Sequence, residues 1–279
     1  MKNLLLTMTI VAFCNADDGL NCKQNPMHRD SRISGPDACE VTPHSKPWMV
    51  SVGGCGGTLI GARVVLTALH CIGSSVYVGQ VVKVGVHDKR IWEHEEQRRR
   101  IQKLISYLKN GVTNSEQLWT KVDILILILD MKVKITKDVQ IAKLPRPGLK
   151  CPQNLQVCGW GDDYYNQTRN TETLWCVRQT CRPKSECDAT SMDLLQKFKL
   201  CATYPARFPY NWLNSACKGD SGGPLFYTDK NGMATVIGVV SEKGTKVGKG
   251  SLCNAPTIYA SLLRPRILKW IKKTMSHYN

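Results

Sequence analysis

The stretch Cys217-Lys218-Gly219-Asp220-Ser221-Gly222-Gly223-Pro224 limits the folds open to this chain more than any other part of it. A serine between glycine-containing flanks, with an acid before it and a proline closing the turn, describes a nucleophile held on a tight loop. Backbone N–H groups in such a loop stay free to point at a reacting atom. In acyl transfer a carbonyl oxygen gains negative charge, and donors such as the amides of Gly219 and Ser221 stabilise that oxyanion by about 3–4 kcal/mol each. Glycine at 219 keeps a side chain out of the space. Gly, Asp, Ser and Pro are also ordinary turn formers, so the stretch needs partners elsewhere to mean more than a surface turn.

Partners lie upstream. Gly219-Asp220-Ser221-Gly222-Gly223-Pro224 resembles the nucleophile signature of the chymotrypsin-like (trypsin-fold) serine peptidases. Leu66-Thr67-Ala68-Leu69-His70-Cys71 resembles that family's histidine motif, and Asp123-Ile124-Leu125-Ile126-Leu127 its aspartate motif. The order His, Asp, Ser belongs to this family, whereas other folds with the same triad use other orders. Leu69 departs from the usual alanine. The resemblance implies that Ser221 attacks the scissile carbonyl while His70 takes its proton and returns it to the leaving amine. Asp123 would hold the imidazole in the working tautomer, and Gly219 and Ser221 would form the oxyanion hole. Residues 40–50 are similar to the corresponding stretch of granzymes and mast-cell proteases.

The chain has 279 residues, 42% of them apolar, enough for a sizeable core and too many for intrinsic disorder. Residues 1–16, with Lys2, an apolar run from Leu4 to Phe13 and a small residue at Ala16, read as a secretory signal peptide too short to span a bilayer. Residues 17–32 are polar and read as an activation propeptide, leaving 33–279 as the peptidase domain. The Arg32-Ile33 junction resembles the family's activation site. Cleavage there, by an activating protease, would free an Ile33 amine to pair with Asp220 beside the nucleophile, and a buried carboxylate is costly without such a partner. Ser34 and Pro36 depart from the usual Val and Gly.

Thirteen cysteines, one in the leader, fit an oxidising compartment. The resemblance implies four bridges: Cys55 to Cys71, Cys39 to Cys176, Cys187 to Cys201 and Cys217 to Cys253. Cys22, Cys151, Cys158 and Cys181 are left, with three connectivities open. One bridge common in the family is missing, since Leu155 and Tyr227 stand at its ends. With no C-x-x-C pair, no metal site and no cofactor are expected.

Short β-branched segments at 48–53, 57–60, 63–67, 76–86 and 123–129, and again at 155–160, 174–179, 223–228, 234–241 and 256–261, are separated by Gly, Pro or charged turns. Two such sets point to an all-β protein of two packed antiparallel six-stranded barrels, with the resemblance supplying the pairing. Residues 93–109 read as an exposed loop and strand edge. A C-terminal helix is expected over 265–275, with Ile267, Trp270, Ile271 and Met275 on its apolar face. Asn166 heads a glycosylation sequon.

The net charge of +16 favours polyanionic partners. Sulfated glycosaminoglycan on Arg98, Arg99, Arg100, Lys269, Lys272 and Lys273 is the expectation, with no specific nucleic acid. The expected activity is that of a secreted zymogen, extracellular or granule-stored, of an endopeptidase acting on protein substrates. The alternative is a non-proteolytic glycan- or membrane-binding protein on a protease scaffold. The substrate pocket would be formed by Ser215, Lys218, Ser241, Lys243 and Thr257. Ser215 stands where trypsin-like members have a floor aspartate, so cleavage after Arg or Lys is not expected. By resemblance to elastase-like members, small or medium uncharged side chains rank first, acidic ones drawn by Lys243 second, and a blocked pocket third.

Overall fold

In the computed structural model the described residues are 20, 22, 38–107, 122–161, 172–187, 198–204, 213–244 and 253–278. The expected signal peptide, Arg32, Ile33 and Asn166 lie outside them.

The first barrel closes in the order β2-β3-β4-β7-β6-β5, with β5 returning to β2. Its strands are β2 (Met49–Val52), β3 (Cys55–Gly61), β4 (Val64–Thr67), β5 (Val81–Val84), β6 (Gln97–Ser106) and β7 (Leu125–Leu129). β7 reads Leu-Ile-Leu-Ile-Leu and is buried at every position, as a strand covered on both faces should be. The charged segment 93–109 corrects the sequence reading. Gln97–Ser106 is a full barrel strand, paired with β5 on one side and β7 on the other. Its first half alternates between exposed and more buried positions down to Ile101, which is 1% exposed. Three consecutive arginines hid that period, because the outer face of the strand is solvated.

The second barrel is built from β8 (Leu155–Gly159), β9 (Trp175–Arg182), β10 (Lys199–Thr203), β11 (Pro224–Thr228), β12 (Ala234–Lys243) and β13 (Thr257–Ser261). β8 pairs with both β9 and β11, which closes the ring, and the short β1 (Cys39–Glu40) adds to β9. The strand β10 falls outside the segments expected from sequence. Where the barrels meet, the ring of Trp48 packs edge-on against Phe226 of β11, centroids 5.2 Å apart. The Gly56 N–H in β3 donates to the Ser221 carbonyl at 2.7 Å. The nucleophile loop is thus fastened to the first barrel.

The helix α1 (Pro265–Met275) begins with proline, whose missing N–H costs nothing in a first turn. Ile267, Leu268 and Ile271 are buried, each stabilising by about 1.5–3 kcal/mol, and Trp270 meets Tyr107 edge-on at 5.5 Å. Lys269, Lys272 and Lys273 face solvent.

Among the described residues six disulfides are present. Cys55–Cys71, Cys187–Cys201 and Cys217–Cys253 coincide with the pairs implied by resemblance. Cys39–Cys176 does not form: Cys39 bonds to Cys22 and Cys176 to Cys158. The reason lies in the sheet. Cys176 on β9 is the register partner of Cys39 on β1 and also of Cys158 on β8, and one sulfur takes one bond. Cys151 pairs with Cys181.

Candidate active site

His70 sits in a 3-10 turn, Leu69–Cys71, at the end of β4, and the Cys55–Cys71 bond ties that turn back to β3. Asp123 lies just before β7, fully buried between Val122 and Ile124, which are themselves buried. Its carboxylate receives three donors. The His70 backbone N–H reaches Oδ1 at 2.9 Å, His70 Nδ1 lies 2.6 Å from Oδ2, and the Ser241 hydroxyl donates to Oδ2 at 2.6 Å. A buried carboxylate is tolerated only when satisfied in this way. With Nδ1–H held by Asp123, the lone pair is on Nε2, and the imidazole is one quarter exposed. Sequence reasoning put Ser241 in the pocket wall and missed its contact with Asp123; a serine carries no signal of which neighbour its hydroxyl will meet.

Ser221 rides a loop whose turns need glycine. Gly219 and Gly222 have φ of 94° and 80°. A Cβ at Gly222 would lie 2.1 Å from Thr67 Oγ1 and 2.5 Å from the Gly56 carbonyl, so the loop sits flush against the strand that leads into His70. The amides of Asp220, Gly222 and Gly223 donate to the carbonyls of Cys217, Val240 and Asp220. Those of Gly219 and Ser221 donate to no backbone carbonyl among the described residues. Asp220 is fully buried, taking N–H groups of Gly161 at 2.8 Å and Cys217 at 2.7 Å on its two oxygens. Side chains at Gly159 or Gly161 would collide with its carboxylate.

The five residues assigned to the pocket do not all converge. Lys218 is exposed and Ser241 serves Asp123. Ser215, Lys243 and Thr257 do meet. Ser215 Oγ donates to the Ala255 carbonyl at 2.5 Å and lies 2.9 Å from Thr257 Oγ1, which accepts the Ala216 N–H at 3.0 Å. Lys243 Nζ donates to Ser215 Oγ at 2.6 Å and also to the Ala216 carbonyl. Burial lowers the Lys243 ammonium to about 7, against a smaller opposing pull from the Asp220 charge. The neighbouring Glu242 pairs with Lys199.

On the first barrel a cleft of about 660 Å³ is lined by Lys83, Lys89, Arg98, Arg99 and Arg100, with Asp130 as the acid among them. Arg98 stacks over Trp92 at 4.0 Å and bonds Glu96, and Arg99 is anchored on the Lys132 carbonyl. Among the described residues no group of three or more His, Cys, Asp or Glu is arranged to hold a metal.

An Asp–His couple on one antiparallel barrel and a serine on a glycine loop of the other, a loop fastened to the first barrel through Gly56, make the architecture of a chymotrypsin-like serine protease. A family model described as Trypsin matches residues 37–271, and the chain belongs to that family. It is a serine endopeptidase, a hydrolase of peptide bonds. It is similar to duodenase-1 of Bos taurus, 32% identical over 86% of this chain and 88% of the relative, and to mast cell protease 3 of Ovis aries, 30% identical over the same shares. Granzyme F of Mus musculus is 32% identical over 68% of this chain and 76% of its own length.

Proposed function

We propose that this endopeptidase is made as a secreted zymogen and hydrolyses protein substrates through Ser221, His70 and Asp123, with a specificity that is not trypsin-like. The observation that carries the reading is the Asp123 carboxylate, buried, oriented by Ser241 and bonded to His70 at Nδ1. It leaves Nε2 as the base for the Ser221 hydroxyl. As Ser221 Oγ bonds to the substrate carbonyl carbon, its proton passes to Nε2 and the carbonyl oxygen becomes the oxyanion facing the Gly219 and Ser221 amides. His70 then protonates the leaving amine, and water repeats the sequence on the acyl-enzyme.

Activation is cleavage after Arg32. The fully buried Asp220, wedged against Gly159 and Gly161, supports it: the carboxylate belongs to the same turn as Gly219 and Ser221, so a new cation beside it would set their amides. The test is labelling of Ser221 by a fluorophosphonate before and after cleavage. Strong labelling after cleavage, little before it and none in Arg32→Gln is expected. Labelling of the uncleaved or the Arg32→Gln protein as strong as that of the cleaved protein would overturn the zymogen.

The basic cleft favours retention on sulfated glycans as a second property. Arg98 and Arg100 are exposed there, whereas Lys269, Lys272 and Lys273 are on α1. Neutralising Arg98 and Arg100 should lower the salt needed for elution from heparin; an unchanged elution would place the interaction elsewhere.

A further inference from the structure

The Lys243 side chain ends among the residues assigned to the substrate pocket. In a protease of this architecture the side chain of the residue whose carbonyl is attacked, P1, enters the space above Ser215, between the wall strand that ends in Lys243 and the strand that begins with Thr257. Lys243 and Thr257 are register partners across β12 and β13. The lysine runs from that wall to the floor. Its ammonium ends on Ser215 Oγ and the Ala216 carbonyl, two groups with no exposed surface, so its four-carbon stem lies across the space a substrate side chain would need.

We propose, on the basis of the protease reading above, that Lys243 is a resident occupant of the primary pocket, which restricts the enzyme as folded to P1 residues with minimal side chains. The geometry favours this over a cation waiting for an acidic substrate. A cation that recruits a carboxylate stands at the rim or leaves room above itself. Here the charge is at the bottom, already bonded to two oxygens, and the Asp220 charge acts on it. Glu242 does not compete for it, being turned to Lys199. An acidic side chain would have to displace the lysine from those oxygens before meeting it. A bulky apolar side chain faces the same obstruction without a charge to offer in return.

The experiment uses the activated full-length protein and peptides differing only at P1, with Gly, Ala, Leu, Phe or Asp, in the native protein, Lys243→Gly and Lys243→Met. Native protein should cleave after Gly and Ala and poorly after the rest. Lys243→Gly should raise kcat/KM for Leu and Phe relative to Gly on the order of 100-fold. Lys243→Met, with the same reach and no charge, should stay closed, which separates bulk from charge. A native protein that cleaves after Leu, Phe or Asp as well as after Gly, or a profile unchanged by Lys243→Gly, overturns the occupant. Fluorophosphonate labelling, which needs Ser221 but no pocket, tells the two failures apart. Labelled variants with an unchanged profile refute the occupant alone; no labelling in any variant refutes the protease reading and the occupant with it.

Discussion

The two sides of the Ser221 loop are built on opposite terms. On the side of His70 and Asp123, the buried carboxylate finds three donors within the protein, and the imidazole it holds stays one quarter exposed. On the proposed pocket side, the oxygens of Ser215 and Ala216 are held by Lys243 of the same chain. In the proposed reading the difference assigns bond breaking and choice of substrate to separate hydrogen-bond sets, joined through the turn 217–221 and through β12, which carries both Ser241 and Lys243. Changes on the first side should lower the rate for all substrates alike. Changes on the second should reorder them.

The sharpest form of that contrast is Ser221→Ala or His70→Ala, expected to cost on the order of 10⁶-fold in kcat on every peptide; single-turnover assays on the Gly and Leu peptides would reveal any selective loss, which would break the contrast. Asp123→Asn keeps the shape but favours the wrong tautomer, and about 10,000-fold is expected, the scale this family's triad shows. Ser241→Ala removes one hydrogen bond to a charged group, worth about 1.5–3 kcal/mol. A loss on the order of 10- to 100-fold in kcat is expected, with the P1 ranking unmoved.

The smallest effect concerns pH. Below about 7 the Lys243 ammonium bears the full cost of burial and is drawn toward water; above it the neutral amine rests in place. The ratio of Leu to Gly cleavage should therefore fall severalfold from about pH 6 to about pH 8 and stay flat in Lys243→Met. Asp220 is the charge that acts on the lysine, Glu242 beside it in β12 is turned to Lys199, and Tyr259 of β13, its phenol pushed upward by burial, remains neutral throughout. Stability has a matching sign. Unfolded, Lys243 keeps its proton to its ordinary value of 10.5, so between about 7 and 10.5 the unfolded chain binds more protons and folding gains as pH rises. Lys243→Met should raise Tm more at pH 6 than at pH 9, read by calorimetry.

Much of this was legible in the residues, for reasons that differ from place to place. β7 announces itself because a strand buried on both faces must be apolar throughout. β6 did not, since half its side chains face water and its arginines mask the single buried Ile101. The motifs around His70 and Asp123 lie 53 residues apart in the chain, and the fold brings the two side chains into contact. Lys243 was visible as an oddity, yet a lysine at a wall position reads the same whether it points out or in; its direction depends on Ser215 and Ala216, brought close only by folding. The cysteines at 39, 158 and 176 form a row across β1, β9 and β8, and which two bond is decided by three-dimensional closeness that spacing along the chain does not encode.

The Cys22–Cys39 bond gives the protein a closed topology around its proposed activation point. The stretch from 22 to 39, with Arg32 and Ile33 inside it, is a covalent ring. Cutting after Arg32 opens that ring without shedding anything: the product is a two-chain molecule, heavier by one water, with its former leader piece still attached a few residues from the new amine. Reduction, and not proteolysis, is what would set the small fragment free.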